Sequence, residues 1–411
     1  MIKSLLRTYS FSLVSLASFG ITFIQNFVFA AWLEKDFFGQ VFLVSTLFTV
    51  FSYLFVFGLD TSIFKFYFDD HFTNKDDLKA AIIGTWLKLS AGLFVLLLII
   101  GYVMIVTLGH RVVDFNFEYI LLVGAGFMFS FFLIVQQYFI ASKQIVPYTL
   151  CTVGIRMVVL AGNTIALFVL PPSLNNLVYS FFLSTGAMFL VSIVGLKFLP
   201  ARIDKTHYSR EIFSFTLPLI FNALISISFT NGYRVLVSAL LTFTQLALFG
   251  IIGQIATSFY IGMSSLLLPY SANGYKYLQD SHGEKNAVPE YRNRVLQLGI
   301  ICIAAIMVIS YFLLKYFKGG QYAEGFVMLP VLLAGQFMFL LYSHEYMVLS
   351  FFKRTSRITI STSVGIAVML SLFYFLLTWY GVWGACIVVF LGYLAQYTMA
   401  VFFRRNARKA R

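Results

Sequence analysis

Apolar runs of about 20 residues, each long enough to cross a bilayer as a helix, recur from one end of the chain to the other. Twelve spans are predicted, over residues 9–33, 38–60, 81–107, 118–141, 148–170, 176–196, 212–241, 245–272, 295–314, 326–350, 358–380 and 382–403. Several connectors are very short: residues 34–37, the turn Pro171-Pro172-Ser173-Leu174-Asn175, and Tyr380-Gly381. Such turns force antiparallel helical neighbours. The longest polar stretch, Asn273 to Arg294, is too short for a soluble domain. Composition agrees. Of 411 residues, 60% are hydrophobic and 11% charged, against roughly 25% charged in soluble proteins. The fold class is therefore an all-α polytopic membrane protein, which excludes soluble, disordered, collagenous and disulfide-scaffold classes.

Cys151, Cys302 and Cys386 lie in apolar runs with no C-x-x-C or Cys/His spacing, so neither a disulfide framework nor a metal site is expected. Lys3 and Arg7 resemble the basic start of a signal peptide. The apolar stretch from Tyr9 to Leu33 exceeds a signal core and reads as the first span.

Charge sets the orientation. With a cytoplasmic N-terminus, most of the 29 Lys and Arg fall on the cytoplasmic side, and only Lys35, Arg111, Lys315 and Lys318 on the other. The positive-inside rule then predicts that both termini are cytoplasmic. The formal net charge of +13 is thus mainly a topology signal. Only Lys88, Arg156 and Arg234 are cations inside spans.

An internal duplication is also legible. Ser10-Phe11-Ser12-Leu13 recurs as Ser214-Phe215-Thr216-Leu217, and the same offset carries Ser18, Thr22 and Asn26 onto Asn222, Ser226 and Thr230. Each set steps by four residues and forms a polar stripe on one helix face. The repeat predicts two pseudo-symmetric six-helix lobes, residues 1–205 and 206–411, around a central cavity.

No catalytic constellation, nucleotide-binding loop or metalloprotease motif is present, and no enzyme activity is expected. Ionisable groups inside spans are costly in lipid and mark cavities or partners. Arg234 continues the stripe Asn222, Ser226, Thr230, and lies about 10 Å from the outer end of its span at 1.5 Å per residue. Snorkelling is its competing explanation. Arg156 lies about 13 Å in from the cytoplasmic end of its span, with no acid in that span, and Lys88 is about 10 Å deep. Glu345 offers either a structural counter-charge to Arg156 or a site for a coupling H⁺ or Na⁺, and Asp60 is a second coupling candidate. His344 points about 100° away from Glu345 on a helix. The many Phe and Tyr read mainly as lipid-facing and interfacial.

The layout resembles the polysaccharide transporters of the multidrug/oligosaccharidyl-lipid/polysaccharide (MOP) exporter superfamily, most of all the O-antigen flippases. The residues carrying the resemblance are Phe38-Gly39-Gln40-Val41-Phe42, Phe57-Gly58-Leu59-Asp60-Thr61-Ser62-Ile63-Phe64-Lys65, Phe215-Thr216-Leu217-Pro218-Leu219, Gly232-Tyr233-Arg234 before Leu248-Phe249-Gly250, and Tyr380-Gly381-Val382-Trp383-Gly384-Ala385. Tyr233 stands where relatives often carry an acid before the arginine, and Phe249 where Tyr is commoner. The resemblance implies movement of an undecaprenyl-pyrophosphate-linked oligosaccharide from the inner to the outer leaflet of the bacterial cytoplasmic membrane. Its implied partners are that lipid-linked oligosaccharide, membrane lipids and other polysaccharide-assembly proteins, without nucleic acid or cofactor. Arg234, Arg156 and Lys88 would form a ladder for the pyrophosphate, flanked by Asn26 and the stripe Asn222, Ser226, Thr230. Two alternatives stand beside it. One is a multidrug exporter of the same superfamily, whose commonly cationic substrates three cations would repel. The other is a polymerase or acyltransferase, which would need a long outer loop or a His/Asp pair.

Overall fold

The computed structural model describes residues 2–67, 74–108, 117–195, 206–280, 287–351 and 355–409. Every long element among them is a helix: α1 Ile2–Trp32, α2 Lys35–Leu54, α3 Leu59–Tyr67, α4 Lys75–Leu108, α5 Phe117–Ala141, α6 Ile145–Thr149, α7 Ile155–Thr164, α8 Leu174–Gly195, α9 Thr206–Ile227, α10 Tyr233–Leu240, α11 Phe243–Asp280, α12 Ala287–Tyr316, α13 Gly325–Phe351, α14 Thr355–Tyr380 and α15 Val382–Lys409. Three π-turns join helices without breaking them, at Leu150–Gly154, Ile165–Val169 and Ser228–Gly232. Eleven of the helical stretches are long and apolar enough to cross a membrane, and they match eleven of the twelve predicted spans. The remaining one, 212–241, runs through α9, a π-turn and α10. The chain is a multi-pass membrane protein.

Local chemistry explains the breaks. The second span stops at Leu54 and restarts at Leu59 because Phe57 (φ 55°) and Gly58 (φ 71°) are left-handed, which an α-helix cannot continue through. Pro171 and Pro172 end the fifth span, since proline removes a donor and clashes with the preceding turn. Gly381 (φ 54°) makes the turn between α14 and α15, a conformation glycine adopts without Cβ strain. Three residues later α15 runs so close to α14 that a Cβ on Gly384 would lie 1.9 Å from the Leu376 carbonyl oxygen.

The described residues form two compact units: Met1–Phe42 with Tyr233–Arg411, and Leu43–Gly232. The second is built on α5, whose buried face carries Leu122, Phe129, Phe132 and Val135. Trp86 of α4 stacks on Phe127 at 4.7 Å between centroids. Phe48 stacks on Phe181 at 4.4 Å and meets Phe129 edge-on at 5.2 Å. Aromatic pairing of this kind adds about 1 kcal/mol per pair beyond burial. The Trp86 indole N–H donates to Ser130 Oγ at 3.1 Å, and Ser130 Oγ donates to the Phe127 carbonyl. Trp86→Phe keeps the stacking and removes only the indole donor, while Ser130 retains its other bond. Its expected cost is about 1 kcal/mol, readable as a small fall in melting temperature in detergent; an unchanged melt would show that this bond contributes nothing.

In the first unit, α15 packs extensively against both α14 and α13, and α11 packs on α13 and α1. Large apolar side chains also face outward: Leu183 is 67% exposed, Val327 62% and Ile301 64%. In water such a surface would aggregate; in a bilayer it is the solvent-facing side. Trp32 and Trp379 stand exposed at the ends of α1 and α14, where amphipathic rings prefer the membrane–water interface.

Candidate functional site

Two arginines lie within predicted spans, one in each unit, and each lies over an aromatic ring. In the Leu43–Gly232 unit, the half-buried Arg156 holds its guanidinium 4.9 Å from the centre of Phe129. In the other unit, the half-buried Arg234 donates from Nη2 to Thr257 Oγ1 at 3.2 Å and from Nε to Tyr233 Oη at 3.4 Å. Its guanidinium is 5.9 Å from the centres of both Phe42 and Tyr233. Among the described residues neither arginine meets a carboxylate within 4.0 Å. An aromatic face offsets part of a guanidinium's desolvation without satisfying its donor fork. Each arginine therefore keeps hydrogen-bonding capacity for an anion. Arg234 turns inward to α11 and α2 in place of snorkelling along its own helix.

Both arginines also stand at the same place in the same local structure. Leu150–Gly154 is a π-turn followed by Ile155 and Arg156; Ser228–Gly232 is a π-turn followed by Tyr233 and Arg234. The sequences read Thr152-Val153-Gly154-Ile155-Arg156 and Thr230-Asn231-Gly232-Tyr233-Arg234. This Thr-x-Gly-x-Arg recurrence is visible in the sequence, yet periodicity analysis passes over it, because a π-turn changes the residue count per turn at that point. π-turns concentrate at functional sites of helices, which adds an independent reason to group the two arginines.

The other predicted residues separate into several environments. Lys88 is exposed on α4 and forms no ion pair among the described residues. Asn26 is half-buried on α1. On the same helix Thr22 Oγ1 donates to the Ser18 carbonyl at 3.4 Å, so part of that stripe bonds to its own backbone. The side chains of Asn222, Ser226 and Thr230 lie outside the described residues. Asp60 sits in the first turn of α3, where the helix N-terminus stabilises a carboxylate.

Glu345 is buried beside a cation of its own unit. It is 1% exposed, and its Oε1 lies 3.1 Å from Arg404 Nη1 and 3.5 Å from His344 Nδ1. Arg404, one residue past the last predicted span, is buried within α15. Within its own unit the counter-charge to Glu345 is thus Arg404. Hydropathy alone could not find this pair, because a cation just past an apolar run looks solvent-bound.

A third polar cluster lies where the turns of the first unit meet. Lys35 Nζ is 3.6 Å from Glu324 and donates to the Gln321 carbonyl at 3.2 Å. The same ammonium lies 5.5 Å from the centre of the Tyr322 ring, whose phenol burial pushes up to about 12. Asp36 Oδ1 accepts from Thr244 Oγ1 at 3.3 Å. Beneath these contacts the backbones touch: a Cβ on Gly39 would lie 2.0 Å from the Phe243 carbonyl oxygen. The hairpin between α1 and α2 is thereby clamped to the start of α11.

No protein-family profile matches the chain, and no curated protein matches its sequence significantly. Solved structures do match. An inward-facing multidrug resistance MATE family transporter of the MOP superfamily superposes with a TM-score of 0.73 at 13% identity, covering 97% of this chain and 98% of that one. The lipid II flippase MurJ, in an inward closed conformation, gives 0.70 at 13% identity over 96% of this chain and 87% of its own. A variant of the Vibrio cholerae MATE transporter VcmN gives 0.58 at 11% identity over 99% and 98%. Nearly complete coverage in both directions, with scores well above chance, shows that this chain has the fold shared by MATE transporters and MurJ.

Proposed function

We propose that the protein is a flippase for an undecaprenyl-pyrophosphate-linked oligosaccharide, an O-antigen or similar repeat unit, working by alternating access in the bacterial cytoplasmic membrane with both termini in the cytoplasm. The observation that carries this reading is the pair of intramembrane arginines, each over an aromatic ring and each without a carboxylate partner among the described residues. A diphosphate is doubly suited to them: the guanidinium fork matches phosphoryl oxygens, and the low dielectric of a span strengthens the attraction. MurJ, named for lipid II, has the same fold. The oligosaccharide and its polymerisation partners come from the family resemblance alone, and coupling to H⁺ or Na⁺ through Asp60 or Glu345 is the secondary part of the proposal.

A multidrug exporter is the second reading, favoured by the superposition with multidrug MATE transporters. Charge separates the two. Arg156→Ala and Arg234→Ala are each expected to lower lipid-linked oligosaccharide export about tenfold or more, the loss of a charge-assisted contact in a dry site being worth about 1.5–3 kcal/mol. Export is read as surface polysaccharide in a strain depending on this protein, with protein level monitored. Retention of full export by both alanine variants, together with loss of resistance to cationic drugs on deletion of the gene, would favour the exporter.

A further inference from the structure

The groups around Arg234 hold more donors than the protein itself uses. Arg234 donates to the hydroxyls of Tyr233 and Thr257. Each hydroxyl therefore accepts and keeps its own proton to donate, and neither donates to another described residue. One turn before Thr257 on α11 stands Gln254, at the midpoint of the apolar stretch Phe243–Ser265. It is 8% exposed, and its carboxamide forms no hydrogen bond among the described residues. An amide left unpaired away from water costs about as much as a lost hydrogen bond, so its place in mid-span calls for a partner.

Beside it, Gly253 is also buried. Residues 250, 253, 254 and 257 fall on one face of α11 at helical spacing. At Gly250 that face is closed, since a Cβ there would come 2.9 Å from the Phe42 ring. At Gly253 it is open: beyond its own helix and sequence neighbours, a Cβ would meet nothing within 4 Å. Phe42 meets the face before Gly253 and Arg234 meets it after, and the guanidinium lies 5.9 Å from the centre of that same ring. All of these residues belong to one unit. Gly250 permits helix contact, whereas Gly253 leaves room. A cationic ligand would find no opposite charge here, and an apolar one would leave the amide unpaired. An acceptor-rich anion satisfies every donor. We infer that Gln254 is a further ligand to a phosphoryl group. Its Nε2 donates to an oxygen that Arg234 also holds, the Tyr233 and Thr257 hydroxyls donate beside it, and Gly253 leaves the space. The inference rests on the flippase reading for the lipid that carries the phosphoryl group.

The test uses the full chain in lipid nanodiscs, with radiolabelled undecaprenyl pyrophosphate as the probe. Gln254→Met keeps the length of the side chain and removes the amide. It should weaken binding about tenfold, the effect of one hydrogen bond to a charged group, and it should melt no lower than the parent, because an unpaired amide adds nothing to the fold. Gly253→Ala should likewise melt no lower, since its Cβ meets no neighbour and alanine is the better helix former. Gly253→Leu, filling the same space, should weaken binding about tenfold. Unlabelled inorganic pyrophosphate should displace the probe, and undecaprenol, which has the chain without the phosphates, should not. Parent-like binding by Gln254→Met and Gly253→Leu, equal displacement by undecaprenol, or a lower melt for Gln254→Met, which would show the amide paired within the protein, would each overturn the inference. If Arg234→Ala loses the probe while the Gln254 and Gly253 variants keep it, the flippase reading stands and only this assignment falls. If Arg234→Ala binds as the parent does, that reading falls with it.

Discussion

Arg404→Ala is expected to destabilise the protein by about 3–5 kcal/mol, the cost of removing one partner from a buried ion pair. Glu345 is 1% exposed and its Oε2 has no hydrogen-bond partner among the described residues. Among the described residues the Arg404 contact at 3.1 Å is its counter-charge, beside the adjacent His344 at 3.5 Å. Losing it leaves a carboxylate in a region enclosed by α13, α14 and α15, next to the cluster of Tyr342, Leu349, Ile358 and Ala400. The change should appear as a fall in melting temperature by detergent size-exclusion, with reduced accumulation in membranes. The paired replacement Glu345→Leu with Arg404→Met should recover most of the loss, because two apolar groups of similar size carry no desolvation penalty. If the double variant is less stable than Arg404→Ala alone, the pair is held by something other than mutual charge compensation. The double variant also bears on coupling: export that persists without either charge would remove Glu345 as the ion carrier.

Gly39→Leu should produce the other large effect, about 3 kcal/mol at the upper end of overpacking costs. The added Cβ meets backbone, 2.0 Å from the Phe243 carbonyl oxygen and 2.7 Å from its carbon. No rotamer relieves a clash with a peptide unit, so α2 must move away from the start of α11. The bond between Thr244 Oγ1 and Asp36 and the packing of Phe42 against Gly250, where an added Cβ would lie 2.9 Å from the ring, depend on the same approach. A cysteine pair placed by Asp36→Cys and Thr244→Cys reads it directly. Oxidation should cross-link the pair efficiently in the parent background and poorly with Gly39→Leu. Equal cross-linking in both would show that the hairpin accommodates the side chain without opening. Gly39→Ala already carries the clashing atom and should weaken cross-linking in the same direction.

Much of the molecule was legible in its amino acids because the bilayer imposes a simple rule. Backbone donors and acceptors cannot be left unpaired in hydrocarbon, so a long apolar run must be a helix. Eleven predicted spans accordingly appear as long apolar helices. The short breaks at Pro171-Pro172 and Gly381 were equally readable, since proline and left-handed glycine act on the chain locally. Arg156 and Arg234 could be singled out for the same reason: a cation inside a span is too costly to be incidental.

Partnership was the part that pattern could not supply. Glu345 and Arg404 are separated by nearly sixty residues of sequence, and Arg404 follows an apolar run as any cytoplasmic anchor would; only the packing of α13 on α15 buries both and makes them a pair. Likewise Gly39 looks like one of 28 glycines until Phe243 is seen against it. The sequence by itself determined a multi-pass helical protein, the places of eleven spans and its costly intramembrane cations, because these follow from free energies of single segments in lipid. Which charges pair and where helices touch at backbone distance were decided by tertiary structure, because those energies belong to contacts between segments far apart in the chain.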